Sequence, residues 1–244
     1  MKLNCDMGES YGAWRMGADE LLMPHIDMAN IACGGHASDP VTMDTTVALA
    51  CAHQVQIGAH PGYPDKEGFG RRAFPLAGDE LGAHLLFQIG ALDALCRKHA
   101  TRIRHVKPHG ALYNQMMRED ALLETIFKAL QAFDPTLPLV VQAADSRRND
   151  ALRAQAADYG LTLLFEAFAD RAYSADGHLA SRGMPGAVHH SSAAILEQAR
   201  RLMTHGEVQA LSGETLHIEA DTLCLHGDNP LSPEVAKALH ANNS

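Results

Sequence analysis

The chain alternates again and again between a short apolar run, a polar turn and an amphipathic helical stretch, and few folds tolerate that rhythm. Extended runs are expected over about Lys2–Asp6, His25–Ala32, Val55–Ala59, Arg104–Lys107, Leu137–Gln142 and Leu161–Phe165, with two more at Glu214–Glu219 and Thr222–His226. Between them the helical signals are explicit. Asp39-Pro40 supplies an N-cap and a first-turn proline. Leu81, Leu85, Ile89, Leu92 and Cys96 recur at helical spacing, as do Leu122, Leu123, Ile126, Phe127 and Leu130. Tyr159-Gly160 reads as a helix stop, a helix is expected over about Ser191–Thr204, and Ser232-Pro233-Glu234 opens the last one.

Strands that alternate with helices pair in parallel, because each return to the same end of a sheet needs a crossover. A closed barrel and an open doubly wound sheet both meet that condition. The open sheet that binds dinucleotides begins with a glycine-rich strand-to-helix turn, whereas here the first strand runs into Asp6-Met7-Gly8-Glu9. An α/β fold built as a closed β/α barrel is therefore expected. With 244 residues and no linker, repeat or low-complexity segment, a single domain over 1–244 is the simplest division.

Composition removes several functions. A net charge of −9 without any basic run argues against a nucleic-acid surface, which needs clustered cations. No apolar stretch approaches bilayer length, and Met1–Asp6 has no apolar leader core, so a cytoplasmic location is expected. The five cysteines (Cys5, Cys33, Cys51, Cys96, Cys224) contain no C-x-x-C pair and read as reduced, packed thiols.

In a parallel β/α protein the C-terminal strand ends share one face, and ligands bind there. Those ends carry Asp6 and Glu9, Asn30 and His36, His60, Lys107 and His109, Gln142, Glu166 with Asp170 and Arg171, and His226 with Asp228 and Asn229. Any one of them has an ordinary explanation as a cap or loop residue. Their coincidence on one face does not. Asp6, His60, Lys107, His109, Glu166 and His226 are the expected catalytic set. Asp6, His36 and His60 come from three adjacent strand ends and are a candidate Asp-His-His metal site. No phosphate loop, kinase signature, G-x-S-x-G elbow or H-E-x-x-H occurs, so serine-triad hydrolysis has no support.

Seven blocks complete the reading: Leu3–Glu9 (LNCDMGE), Asn30–Pro40 (NIACGGHASDP), Gly58–Asp65 (GAHPGYPD), Gly68–Arg72 (GFGRR), Val106–Asn114 (VKPHGALYN), Glu166–Tyr173 (EAFADRAY) and Leu225–Pro230 (LHGDNP). In order and over nearly the whole chain, they resemble the signature blocks of the LamB/YcsF family, the A subunits of bacterial ATP-dependent 5-oxoprolinase. Gly35 departs from the family's usual aromatic residue, and Ser38 stands where glycine is frequent. The resemblance implies a seven-stranded barrel of the glycoside hydrolase/deacetylase type. It also implies conversion of 5-oxo-L-proline, ATP and two waters to L-glutamate, ADP and phosphate, with separate subunits B and C.

On that reading Lys107, Arg71, Arg72 and Arg171 are the phosphoryl-side cations. Asp6, Glu166 or Asp228 would hold Mg²⁺ or another divalent metal, and His60, His109 or His226 would move protons. Glu9, Asn30, Asp170 and Asn229 complete the expected substrate- and phosphate-binding set. Two rivals remain: a stand-alone metal-dependent hydrolase or deacetylase using Asp6, His36 and His60, and a non-catalytic subunit that only presents substrate.

Overall fold

Seven parallel strands close into a barrel in the order β1 (Lys2–Met7), β2 (Met28–Ala32), β3 (Gln56–His60), β4 (His105–Val106), β5 (Leu139–Gln142), β6 (Leu163–Phe168) and β9 (Thr222–Leu225), which pairs with β1 to complete the ring. The structure is a computed structural model and describes residues 1–243. Helices α1 (Asp19–Leu22), α2 (Pro40–Ala52), α3 (Gly78–Lys98), α4 (Gly110–Met116), α5 (Asp120–Phe133), α6 (Ser146–Ala157), α7 (Ser192–His205) and α8 (Ser232–Asn243) make the connections outside it. None of the described helices is long and apolar enough to cross a membrane.

The expected helical stripes are the buried ones. Leu81, Leu85, Ile89, Leu92 and Cys96 of α3 are all buried, as are Leu122, Leu123, Ile126, Phe127 and Leu130 of α5. Each such side chain contributes about 1.5–3 kcal/mol when it leaves water. Asp39 caps α2 as its sequence context implies, its Oδ1 accepting from the Val41 and Thr42 amides at 2.9 Å.

Three sequence expectations shift. The run from His25 starts as a strand only at Met28, because Met23–His25 form a 3₁₀ turn around Pro24. Strand β6 continues to Phe168, past Glu166, because that carboxylate points into the barrel interior and does not end the strand. The segment expected at Glu214–Glu219 is β8 (Thr215–His217), which pairs antiparallel with β7 (Glu207–Gln209) in a separate hairpin outside the barrel.

The barrel interior is polar at its centre. Period-two alternation aims Asn4 and Asp6, Gly58 and His60, His105 and Lys107, and Thr222 and Cys224 inward from their strands. A buried chain of hydrogen bonds results. Asn4 donates to Thr222 Oγ1 at 2.9 Å, Asn30 donates to Asn4 Oδ1 at 2.8 Å, and His105 Nε2 donates to Asn30 Oδ1 at 2.7 Å. Glycine at 58 leaves the room for the His105 ring, which a Cβ there would overlap. Ser38 adopts φ 73°, the left-handed region that glycine enters freely.

Candidate active site

The floor of the site is one buried ammonium between two buried carboxylates. Lys107 Nζ lies 2.9 Å from Asp6 Oδ1 and 2.7 Å from Glu166 Oε2, with Asn4 Oδ1 at 3.3 Å and Cys224 Sγ at 3.2 Å. Asn30 donates to Asp6 Oδ1 at 2.9 Å, and the Tyr113 hydroxyl donates to Glu166 Oε1 at 2.9 Å. Burial disfavours the charge on Lys107, but Asp6, Cys224 and Glu166 outweigh it and hold its ammonium well above the usual range. Burial likewise opposes ionisation of Asp6, and the charges of His60 and Lys107 overcome it, keeping that carboxyl well below its usual range.

Beside this floor stand three imidazoles. The His36 and His109 rings stack at 3.6 Å with 3° between planes, and His60 meets both edge-on. Glu9 Oε1 lies 3.2 Å from His36 Nε2 and 3.5 Å from His109 Nδ1. Burial, then the charges of Asp6 and Asp228, pushes the Glu9 carboxyl well above its usual range. Burial, reinforced by neighbouring positive charge, pushes both His36 and His109 well below theirs, so these two rings are neutral. The turn that delivers His109 needs glycine next to it: Gly110 has φ 57°, and a Cβ there would press on the Gly70 carbonyl.

Above lies an arginine-rich cleft of about 580 Å³, lined in part by Arg71, Arg118, Arg171, Arg182, Asn114 and Gln142. Arg71 pairs with Asp228 at 2.8 Å. Arg171 is anchored by two backbone carbonyls, those of Ala180 and Ala187. Arg182 keeps its Nε and one terminal nitrogen buried without a hydrogen-bond partner. Burial and the charge of Arg71 lower its pKa, and an anion arriving here meets one guanidinium with two nitrogens short of partners. Phe168 stacks on His226 at 5.6 Å and places its ring 5.5 Å from Lys107 Nζ, forming one wall towards the floor.

His226 is held by Asp170, whose Oδ1 lies 2.8 Å from His226 Nδ1. Burial works against ionised Asp170, but His226 and the neighbouring arginines take its pKa down to about 2. The ordinary aspartate value is about 3.9. A depressed folded value means stability present in full above the ordinary value and lost as pH falls towards 2, here about 2–3 kcal/mol. D170N is therefore expected to be less stable than the parent by about that amount at pH 7, with the gap narrowing as pH falls below 4. Urea midpoints of both proteins at pH 7 and pH 3 check this, and an unchanged gap would refute it.

The structure thus brings together Asp6, Glu9, Asn30, His36, His60, Lys107, His109 and Glu166, and sets Arg71, Asp170, Arg171, His226 and Asp228 around the entrance. Asn229 lies behind His226, its side-chain oxygen accepting from the Leu231 amide. Arg72 stays outside: its side chain is 60% exposed and clamps Asp65, holding the Gly68 turn. The metal set regroups as well. Asp6 Oδ1 is taken by Lys107 and Asn30, and the mutually close donors are Glu9, His36, His60 and His109. Mg²⁺ prefers oxygen ligands and fits this imidazole-rich set poorly. The oxygen donors expected for it are engaged, Asp6 and Glu166 by Lys107 and Asp228 by Arg71.

Comparison with known proteins places this arrangement. The LamB/YcsF family model matches residues 1–244. The chain belongs to the LamB/YcsF family. It is 53% identical over 229 residues to the 5-oxoprolinase A subunit of Vibrio parahaemolyticus, covering 94% of this chain and 90% of that one. It is 52% identical over 237 residues to the 5-oxoprolinase A subunit of Chromohalobacter salexigens, covering 97% and 94%. The crystal structure of the lactam utilization protein from Thermus thermophilus matches with a TM-score of 0.88 at 43% identity, over 98% and 94% of the two chains. A putative cellobiose-phosphate cleavage protein of Enterococcus faecalis, at 11% identity and a TM-score of 0.54, shares the fold alone.

Within this LamB/YcsF barrel, sequence reading missed Arg182, Tyr113 and Gln88. Arg182 sits in the long loop between β6 and α7, where no periodicity points at the cleft. Tyr113 is on α4, one turn after His109, where an aromatic residue reads as helix packing. Gln88 is a buried amide on α3 that clamps both the Gly62 amide and carbonyl, filling the space a side chain at Gly35 would need.

Proposed function

We propose that this chain is the A subunit of an ATP-dependent 5-oxoprolinase and opens the lactam ring of 5-oxo-L-proline to L-glutamate together with subunits B and C. The observation that carries this reading is the Asp6–Lys107–Glu166 charge cluster at the foot of an arginine-lined cleft, in a chain about half identical to subunits of that name. A five-membered lactam is a resonance-stabilised amide with little ring strain, and water attacks it slowly. Transfer of the ATP γ-phosphoryl group to the lactam oxygen makes that oxygen a leaving group. Water then adds to the ring carbon and the C–N bond breaks with a proton passing to nitrogen, which leaves an acyl phosphate; the second water attacks its carbonyl carbon and phosphate departs, giving L-glutamate.

The residues suit these demands. The substrate is an anion at neutral pH and gains charge when phosphorylated, and Arg71, Arg171 and Arg182 present guanidiniums to it. Lys107, buried and fixed from both sides, is placed to stabilise charge that develops on oxygen in the transition state. His109 and His60 line the same pocket as Lys107, where the pair is placed to relay protons to and from the reacting water. The assay is 5-oxoproline-dependent ADP release by this chain alone and after addition of B and C. Turnover in the mixture alone is expected. Lactam hydrolysis by the chain without ATP would favour the stand-alone metal hydrolase, and no turnover in either arm would reject the proposal.

A further inference from the structure

Which histidine can take a proton directly from water follows from what each ring nitrogen touches. His60 Nδ1 lies 2.6 Å from the Lys107 carbonyl oxygen, and His109 Nε2 lies 2.9 Å from the Phe69 carbonyl oxygen. Their remaining nitrogens face each other at 2.9 Å. All four are engaged, which suits a relay but leaves no lone pair for the first contact with water. His226 differs. Its Nδ1 lies 2.8 Å from Asp170 Oδ1 and 3.1 Å from Oδ2. Burial opposes ionisation of Asp170, but His226, Arg182 and Arg171 keep it a carboxylate. A carboxylate only accepts, so His226 Nδ1 carries the hydrogen. In the neutral ring Nε2 is then a bare acceptor, and it makes no hydrogen bond among the described residues.

The hollow beside that nitrogen is the size of a water molecule. It measures about 30 Å³, and His226 shares it with Lys107, His109, Tyr113, Phe168 and Arg171. One water fills about that volume, and it needs polar neighbours such as Lys107, Tyr113 and Arg171. Phe168 stacks on the imidazole with 22° between planes. Asp170 does not line the hollow and holds the Nδ1 edge, so the Nε2 edge is the one turned towards it. We propose that His226, positioned by Asp170, is the general base for the first water that attacks the lactam carbon. The role deepens the lactam reading and rests on it. The phosphorylated lactam carries a C=N–H⁺ group. As the water oxygen bonds to the ring carbon, its O–H bond breaks, the proton goes to His226 Nε2, and the C=N π pair returns to nitrogen. When the C–N bond breaks, nitrogen takes that proton from Nε2. The new hydroxyl becomes the acyl-phosphate carbonyl, and its proton goes to the amine, which ends as ammonium. Asp170 holds the tautomer that leaves Nε2 free to start this sequence.

The test has one arm on the full chain alone and one on the chain assembled with B and C. In the ¹⁵N-labelled chain, long-range ¹H–¹⁵N NMR should show neutral His226 as the Nδ1–H tautomer. D170N should move that hydrogen to Nε2, because the asparagine amide can donate to Nδ1. In the assembled enzyme H226A should lower kcat at least about a hundredfold, with KM for 5-oxoproline little changed. Added imidazole should restore part of the H226A turnover and none of that lost in D170N, where the ring is present in the wrong tautomer. Far-UV circular dichroism identifies a variant that has not folded, and the tautomer of the parent chain is read without any variant. An Nε2–H tautomer in the parent overturns the role, and so does H226A that keeps its turnover or loses it beyond rescue by imidazole. No turnover by the parent mixture rejects the lactam reading and this role with it, whereas parental turnover that H226A retains rejects the role alone.

Discussion

K107M is expected to lose about 3–5 kcal/mol of stability, because removing one partner from a buried ionic cluster leaves the other charges uncompensated. Here two carboxylates would be stranded. Asp6 Oδ1 would keep only the Asn30 amide, and Glu166 only the Tyr113 hydroxyl, both inside the barrel and away from water. The methionine stem replaces the lysine stem at nearly equal volume, so lost charge and not lost packing carries the effect. Turnover of the assembled enzyme should fall below detection as well. Stability and catalysis separate in the triple variant D6N/K107M/E166Q. Neutral amides no longer demand a counter-charge, so most of the lost stability should return, while activity should not. Urea unfolding of the three proteins at pH 7 measures the first part and 5-oxoproline-dependent ADP release the second. A K107M as stable as its parent would mean that Asp6 and Glu166 are neutral in the folded protein, and the charge cluster would be misassigned.

That cluster also marks how far the sequence could be read. The class of fold was legible because parallel strands and crossover helices write two different periods into the chain, and Leu81–Cys96 and Leu122–Leu130 kept the helical one cleanly. The site was legible as a face, since strand ends converge there whatever the side chains are. Its internal grouping was not. Asp6, His36 and His60 are equally plausible metal ligands along the sequence, and only the barrel register puts Lys107 opposite Asp6 and Glu9 between His36 and His109. Glu166 looked like the end of a strand because a carboxylate in a barrel interior is improbable until its ammonium partner is known. Arg72 looked equivalent to Arg71, yet the turn held by Asp65 sends the two side chains in different directions. Arg182 carried no signal, being placed by a loop whose course depends on Arg171 anchoring to Ala180 and Ala187.

The second large effect is expected at a residue with no side chain. Gly227 follows the barrel-closing strand β9, and a Cβ there would sit well inside van der Waals contact of the Asp6 backbone oxygen, with Cys5 Sγ at 3.7 Å on the far side. Neither neighbour can yield, since β1 is paired on both edges, to β2 and to β9. In G227A the loop after β9 must lift instead. Loosening it moves His226, whose carbonyl accepts from Ser232 Oγ at 2.7 Å, and Asp228, the partner of Arg71 at the cleft. Overpacking of this kind costs about 1–3 kcal/mol, and displacing groups that position a substrate by about 1 Å costs on the order of a hundredfold in rate. G227A should thus stay folded with a lowered urea midpoint while losing most of its turnover, with KM for 5-oxoproline rising as Arg71 is released. G183A is the matched control, for a Cβ at Gly183 meets nothing within 4 Å. If G227A and G183A behave alike in both assays, the loop is free to adjust and the contact with Asp6 does not hold the entrance in place.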